Sequence, residues 1–273
     1  MMNFAMHMRL FLRSFFLQTG WNFVKYQNVG LTFIMLPFLR KLYKQDKEAL
    51  PAVITRYLDN FNTQPVMASF CIGALAKKEE AVAQAKSVTD FKEQVAEWTA
   101  ARRGLSITAA SIGDRLFWGT LKPLTLLLAI FIWLCLGVNF FEIELLENPL
   151  VFDALCAGAV AFFVYNSIAL FVKWQGIGIA YHSDEKTCFG LTKFDWNKTI
   201  YNAKHIGLIL AAGLILFGVY HYFKDIELNL YFITRAVLVL FFVMLSFLTR
   251  KLKVPNMYLY IAAVIIFNIA CYL

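Results

Sequence analysis

Two side-chain amides stand two residues apart in the short stretch FNTQP, residues 61–65. The carboxamides of Asn62 and Gln64 each offer two N–H donors and one oxygen acceptor. This combination suits neighbouring sugar hydroxyls, because each hydroxyl also donates and accepts a hydrogen bond. The alternative is ordinary capping, in which Asn62 or Thr63 accepts from the first amides of a helix over 66–76. The pattern alone favours capping.

Aromatic rings and amides also alternate in WNFVKYQNVG, residues 21–30. The faces of Trp21 and Tyr26 could stack on the apolar face of a pyranose while the amide of Gln27 binds its rim. The same composition is typical of the aromatic belt that membrane proteins place at the membrane–water interface. The spacing favours the belt, and Gln27 stays a candidate sugar contact.

The third polar stretch is SIGDRLFWGTLKP, residues 111–123. Asp114 could accept from a sugar hydroxyl and Trp118 could stack on the sugar ring. Alternatively, Asp114 lies near a helix N-terminus, where a carboxylate is favourable. The cations Arg115 and Lys122 would then extend toward lipid headgroups. The residues leave both interpretations open.

The composition excludes an ordinary soluble domain. Of 273 residues, 60% are hydrophobic and only 16% are charged, and the mean hydropathy is +0.60. Such a chain is an integral membrane protein. Its net charge of +8 therefore indicates cytoplasmic loops and not a nucleic-acid partner. The cysteines and histidines are scattered, so we expect no catalytic residue, no metal site and no cofactor.

Apolar runs long enough to cross a bilayer, which needs roughly 20 residues, occupy the C-terminal part of the chain. We predict an all-α polytopic protein with about five C-terminal transmembrane helices. Cations between the runs predict that residues 77–103 are cytoplasmic and that the C-terminus lies outside. The runs cover residues 117–138, 150–172, 205–222, 230–248 and 255–273.

The N-terminal third is less regular. Its apolar segments, 20–43 and 61–75, are short and interrupted by polar residues or proline. They predict re-entrant helices, which are tolerated where they are buried in protein. A cytoplasmic helical lobe with an apolar core is the alternative.

Two further N-terminal stretches complete this division of the chain. The amphipathic residues 8–18 predict a helix lying in the membrane interface, and residues 77–98 predict one solvated helix. We therefore divide a single functional domain into an N-terminal region, 1–104, and a transmembrane region, 105–273.

Taken in order, these stretches resemble the IID components of mannose/fructose/sorbose-type sugar phosphotransferase systems. FNTQP and the GD…FWGT…KP pattern of residues 113–123 match the family's motifs. Other matching positions are spread along the chain: Trp21, Asn22, Gln27, Gly30, Pro37, Tyr43, Asn166 and Gly176.

The resemblance implies a membrane subunit that pairs with a IIC partner and carries a hexose inward through the bacterial inner membrane. The soluble proteins IIA and IIB would hold the phosphohistidines, so this chain would be a non-catalytic subunit of a hetero-oligomer. The implied contacts to the sugar or to the partner are Asn62, Gln64 and Asp114, together with Gln27 and Trp118.

Two departures from the family pattern support an alternative function. Residues 106–111 lack the family's glycine and proline, and Arg115 stands where a small residue is usual. They would suit a divergent IID-like membrane scaffold or sensor that does not transport.

Overall fold

The structure is a computed structural model that describes residues 1–85, 87–137, 149–224 and residue 244. Its regular elements are helical. The α-helices are α1 Phe4–Ser14, α2 Asn28–Leu42, α3 Leu50–Tyr57, α4 Ala68–Ala83, α5 Val88–Gly113, α6 Lys122–Gly137, α7 Pro149–His182 and α8 Trp196–Lys224. A π-helix, Asp114–Leu121, joins α5 to α6, and two short 3-10 turns, Glu185–Thr187 and Leu191–Lys193, lie between α7 and α8.

The chain divides into two compact units, Met1–Ala212 and Gly213–Leu273. The packing and the sites described below belong to the first unit. In the second unit the structure describes residues 213–224, which complete α8, and the exposed Met244.

Three helical stretches are long and apolar enough to cross a membrane: Val88–Leu136, Phe152–His182 and Trp196–Gly218. The first three predicted apolar runs fall in these helices over their described residues, so the prediction of an all-α chain with long apolar helices is confirmed. The predicted runs 230–248 and 255–273 lie outside the described residues.

The helices that contain the predicted runs 150–172 and 205–222 are longer than these runs, because α7 continues to His182 and α8 already begins at Trp196. Hydropathy falls at Lys173, yet this side chain is buried against α1. Its Nζ donates to the carbonyl oxygen of Ser14 at 3.3 Å and lies 4.4 Å from the centre of the Phe15 ring. Lys173 is therefore a packing residue and not a loop cation.

Helix α4 lies at the centre of the first unit, packed against α5 and α7. Its residues 68–76 are all buried. The small side chains of this segment let neighbouring backbones approach closely. At Gly73 an added methyl group would overlap the carbonyl oxygen of Ile177, and at Gly176 it would overlap the Ser69 hydroxyl. Two glycines on facing helices thus set the spacing between α4 and α7.

The prediction of one solvated helix over 77–98 is also wrong. Helix α4 ends at Ala83, and α5 begins at Val88 after Ser87, whose side chain accepts from the Asp90 amide at 3.1 Å. Glu79 and Trp98, which lie in this segment, are fully buried. The pattern of alanine and charged residues concealed two buried positions, because the residues that pair with Glu79 and pack on Trp98 include Arg56, which lies elsewhere in the chain.

The apolar segments 20–43 and 61–75 supply α2 and most of the buried part of α4. Together with α1 and α3 they enclose a shared core that includes Leu10, Leu31, Phe38 and Phe70. This packing agrees with the alternative of a helical lobe with an apolar core. Re-entry of these segments into the membrane stays a prediction.

The α4–α7 contact predicts that Gly176→Ala destabilises the protein by about 1–3 kcal/mol, because the new methyl group overpacks the interface. Gly158→Ala in the same helix meets open space and should be neutral or stabilising by up to about 1 kcal/mol. Thermal unfolding in detergent, followed by circular dichroism, measures both. Equal stabilities of the two variants would contradict the close approach.

Candidate functional site

The FNTQP loop is fixed by the buried side chain of Gln27. The Nε2 of Gln27 donates to the carbonyl oxygen of Thr63 at 2.9 Å, and its Oε1 accepts from the Thr63 amide at 3.0 Å. The backbone continues the pairing, since the Gln27 amide donates to the Phe61 carbonyl at 2.8 Å and the Phe61 amide donates to the Lys25 carbonyl at 3.3 Å. Residues 61–63 therefore lie alongside residues 25–27 like a short strand pair.

Gln64 closes the start of α4. Its Oε1 accepts from the backbone amides of Val66 at 2.7 Å and Met67 at 2.9 Å, which are among the groups that a helix start leaves without partners. These amides lie in the turn directly before Ala68, and the N-cap residue of α4, Met67, makes no side-chain capping bond, so the alternative of capping by Asn62 or Thr63 is wrong. The Gln64 side chain instead stabilises the turn that leads into α4.

The last residue of α5, Gly113, brings the FNTQP loop to the GDRLFWGT segment. An added methyl group at Gly113 would lie 2.5 Å from the Cβ of Gln64 and 2.9 Å from the Cγ of Met67. A side chain is not tolerated at this distance, so the bare backbone makes the contact possible. Two motifs that are far apart in sequence thus meet, with the exposed Asn62 and Asp114 flanking the contact.

Asp114 begins a π-helix and not a new helix. The stretch from Val88 to Leu136 is one continuous helix, so the interpretation of Asp114 as a helix N-terminal carboxylate is wrong. Thr120 Oγ1 donates to the Arg115 carbonyl at 2.7 Å. This bond spans five residues, as the backbone bonds of a π-helix do, and such segments frequently mark functional sites.

One exposed stripe runs along this helix. Asp114, Trp118 and Lys122 follow one another at intervals of four residues and are all exposed, whereas Phe117 and Leu121 are buried. The segment therefore presents a polar and aromatic face outward and an apolar face to the protein core.

Trp118 and Lys122 stand at the polar end of a groove of about 580 Å³ between α6 and α7. Tyr165 and Asn166 of α7 line the same end, and the Asn166 amide donates to the Phe162 carbonyl at 2.8 Å. The other end of the groove is apolar, with Leu126, Ala129, Gly158 and Ala161. This groove could receive a molecule with one polar and one apolar end.

The five predicted contact residues therefore separate into two groups. Gln27 and Gln64 are buried, and the side-chain oxygen of each accepts a hydrogen bond from a backbone amide. They are therefore positioning residues. Asn62, Asp114 and Trp118 are exposed, and direct contact with a ligand stays a prediction for these three.

The aromatic residues of the 21–30 stretch point outward. Trp21 and Phe23 are exposed, with their ring centres 4.8 Å apart. Tyr26 has a left-handed backbone with a φ of 58° and pairs with Asn22 through two backbone bonds. Exposed rings on a tight loop agree with an interface belt.

A buried ionic cluster around Glu79 was not predicted from the sequence. Glu79 Oε1 accepts from the Tyr43 hydroxyl at 2.8 Å and pairs with the Arg56 guanidinium. Burial raises the pKa of the Glu79 carboxyl, while Arg56 opposes that rise. Trp98 lies beneath two guanidinium groups, 4.8 Å from Arg56 and 5.4 Å from Arg102. Trp98, a single tryptophan among alanine and charged residues, was the sequence feature that could have indicated this buried cluster.

Comparisons with known proteins identify the family. Residues 3–141 match the family model described as the PTS system mannose/fructose/sorbose family IID component. The chain therefore belongs to this family, whose members are membrane proteins.

Individual relatives agree with this assignment. The chain is 31% identical over 172 residues to the mannose-specific EIID component of Escherichia coli, which covers 63% of this chain and 53% of that protein. It is 30% identical over 206 residues to the fructose permease IID component of Bacillus subtilis, covering 76% of this chain and 66% of that protein. The matched region thus spans about half the length of the mannose-specific relative.

Two solved structures share the fold. One, described as the structure of a membrane protein, has a TM-score of 0.67 and 23% identity and covers 99% of this chain and 96% of its own. The other, a cryo-EM structure of the mannose transporter ManYZ with a microcin, has a TM-score of 0.52 and 22% identity and covers 100% of this chain and 97% of its own.

The Gln27–Thr63 pairing predicts that Gln27→Met destabilises the protein by about 2–4 kcal/mol, because two buried backbone groups lose their partners. Gln18→Met changes an exposed glutamine and should stay within about 0.5 kcal/mol. Chemical denaturation in mild detergent compares them. A Gln27→Met protein as stable as the Gln18→Met control would contradict the pairing.

The π-helix predicts that Thr120→Val lowers the stability by about 1 kcal/mol, since the hydroxyl loses its bond to the Arg115 carbonyl. Thr108→Val removes an ordinary bond to the Gly104 carbonyl on a more exposed face of α5 and should cost less. Melting temperatures of the two variants provide the comparison. A larger loss for Thr108→Val would count against a special role of the Thr120 hydroxyl.

Proposed function

We propose that this chain is the IID membrane subunit of a phosphoenolpyruvate-dependent sugar phosphotransferase system. It translocates a hexose of the mannose, fructose or sorbose type together with a IIC membrane partner, and phosphorylation by IIB accompanies entry. The proposal rests on one observation above all. Within the family-matched region, the FNTQP loop and the GDRLFWGT segment meet at the Gln64–Gly113 contact.

In this proposal, the buried side-chain amides fix the backbone of the site, and the exposed side chains contact the sugar. Gln27 and Gln64 fix the loop, and Asn62 and Asp114 offer hydrogen-bonding groups beside the contact. Asn62 both donates and accepts, whereas an ionised Asp114 only accepts. Together they match a pair of adjacent sugar hydroxyls. Trp118 adds an aromatic face for a sugar ring, or a contact for the IIC partner's substrate loop.

The chain itself carries no chemical step. The phosphoryl group would travel on histidines of the soluble proteins IIA and IIB, and the membrane subunits would present the sugar to IIB. We place residues 77–103 in the cytoplasm, the C-terminus outside, and two further membrane spans over 230–248 and 255–273. The 77–103 segment would then face the soluble partners.

Asn62→Ala should abolish sugar uptake, because it removes both hydrogen-bonding groups while leaving the buried loop contacts in place. The matched control is Asn60→Ala, which changes another exposed asparagine, directly before the FNTQP loop. Cells expressing this chain with its IIC, IIB and IIA partners are assayed for uptake of labelled mannose, fructose and sorbose. Co-purification of IIC with each variant shows that the complex assembles.

Normal uptake by the Asn62→Ala complex would overturn the assignment of Asn62. Absence of uptake by the unaltered complex for all three sugars, together with normal IIC binding, would favour the divergent scaffold or sensor. Arg115 and the altered residues 106–111 motivate that alternative.

A further inference from the structure

Arg102 is almost completely buried, at 2% exposure, whereas its neighbour Arg103 is exposed. Its Nη2 donates to the Asp59 carboxylate and to the Asn60 carbonyl, each at 2.9 Å, and its Nη1 donates to the Arg56 carbonyl at 3.2 Å. One guanidinium from α5 thus binds three acceptors at the end of α3 and at the start of the following loop.

The chain immediately after these acceptors is the FNTQP loop. Arg102 donates to the backbone carbonyl of Asn60. The side-chain amide of Gln27 bonds both the backbone carbonyl and the backbone N–H of Thr63. Asn62 lies between these two fixed points, and its own side chain is exposed. The position of Asn62 therefore depends on the Arg102 contact with the chain just before the loop and on the pairing of Phe61 and Thr63 with residues 25–27.

The guanidinium of Arg102 is itself fixed by packing. The guanidinium lies 5.4 Å from the centre of the Trp98 ring, which packs edge-on against Tyr57 with the ring centres 4.8 Å apart. Cation–π contact and burial stabilise this orientation. Because α5 runs without interruption into the π-helix, the same helix carries both Arg102 and Asp114.

We infer that Arg102 is a positioning residue that places Asn62 relative to Asp114 for substrate recognition. The consequence for transport rests on the function proposed above, whereas the ordering of the loop does not. Arginine is required here because its planar fork serves several acceptors at once, whereas a lysine ammonium acts as a single point charge. Substitution should therefore loosen the loop without removing any group that contacts the substrate.

The test compares Arg102→Met and Arg102→Lys with the exposed control Arg103→Met. Hydrogen–deuterium exchange of the purified full chain in detergent reports on residues 59–64, with peptides of α7 as the internal reference. Arg102→Met should speed exchange in 59–64 by about tenfold, since local opening then no longer breaks the three bonds of Arg102, while the bonds to residues 25–27 stay. Arg102→Lys should lie between Arg102→Met and the wild type, and Arg103→Met should match the wild type.

The second readout is uptake kinetics of the complex with its IIC, IIB and IIA partners, using whichever of labelled mannose, fructose or sorbose the wild type transports. Arg102→Met should raise the KM several-fold with a smaller change in maximal rate, and Arg102→Lys should partly restore the KM. A structural defect alone would lower the amount of active complex, and hence the maximal rate, and leave the KM unchanged.

Unchanged exchange in residues 59–64, or an unchanged KM with loss of maximal rate only, would overturn the inference. If Arg102→Met does not fold, Asp59→Ala removes one of the three acceptors from a half-exposed position, and unaltered exchange around it would also overturn the inference. A wild-type complex that transports none of the sugars would contradict the proposed function, while the exchange experiment would still decide the role of Arg102.

Discussion

The close contact between the side chain of Gln64 and the bare backbone of Gly113 joins the two halves of the site. It is possible only because position 113 lacks a side chain and because the Gln64 amide bends back onto the start of α4. Together with the Gln27–Thr63 bonds, this contact fixes the backbone of the loop against the protein core. A ligand that meets Asn62 would then find a surface already ordered, which lowers the entropic cost of binding.

The π-helix is the second constraint on this site. The exposed side chains of Asp114, Trp118 and Lys122 stand on one face of this segment. Phe117 packs inward on the other face, with its ring centre 6.4 Å from that of Tyr165. The energetic cost of a π-helix is offset in part by the Thr120 hydroxyl, and a segment of this kind is expected where function requires it.

Much of the fold could be predicted from sequence because hydropathy directly reports long apolar helices. The motifs in FNTQP and GDRLFWGT also identified the two segments that meet. Their roles could not be predicted in full, because a glutamine that binds a ligand and one that caps a helix look the same in sequence. The buried Glu79 and Arg102 were missed for a related reason: each is neutralised by a residue far away in the chain.

The proposed function requires this chain for coupled uptake and phosphorylation of a hexose. The direct measurement uses vesicles containing IIC, supplied with IIA, IIB and a phosphoryl donor, prepared with and without this chain. We expect labelled sugar phosphate to form only when the chain is present and the phosphoryl donor is supplied. Equal formation of sugar phosphate in vesicles that lack the chain would contradict the account.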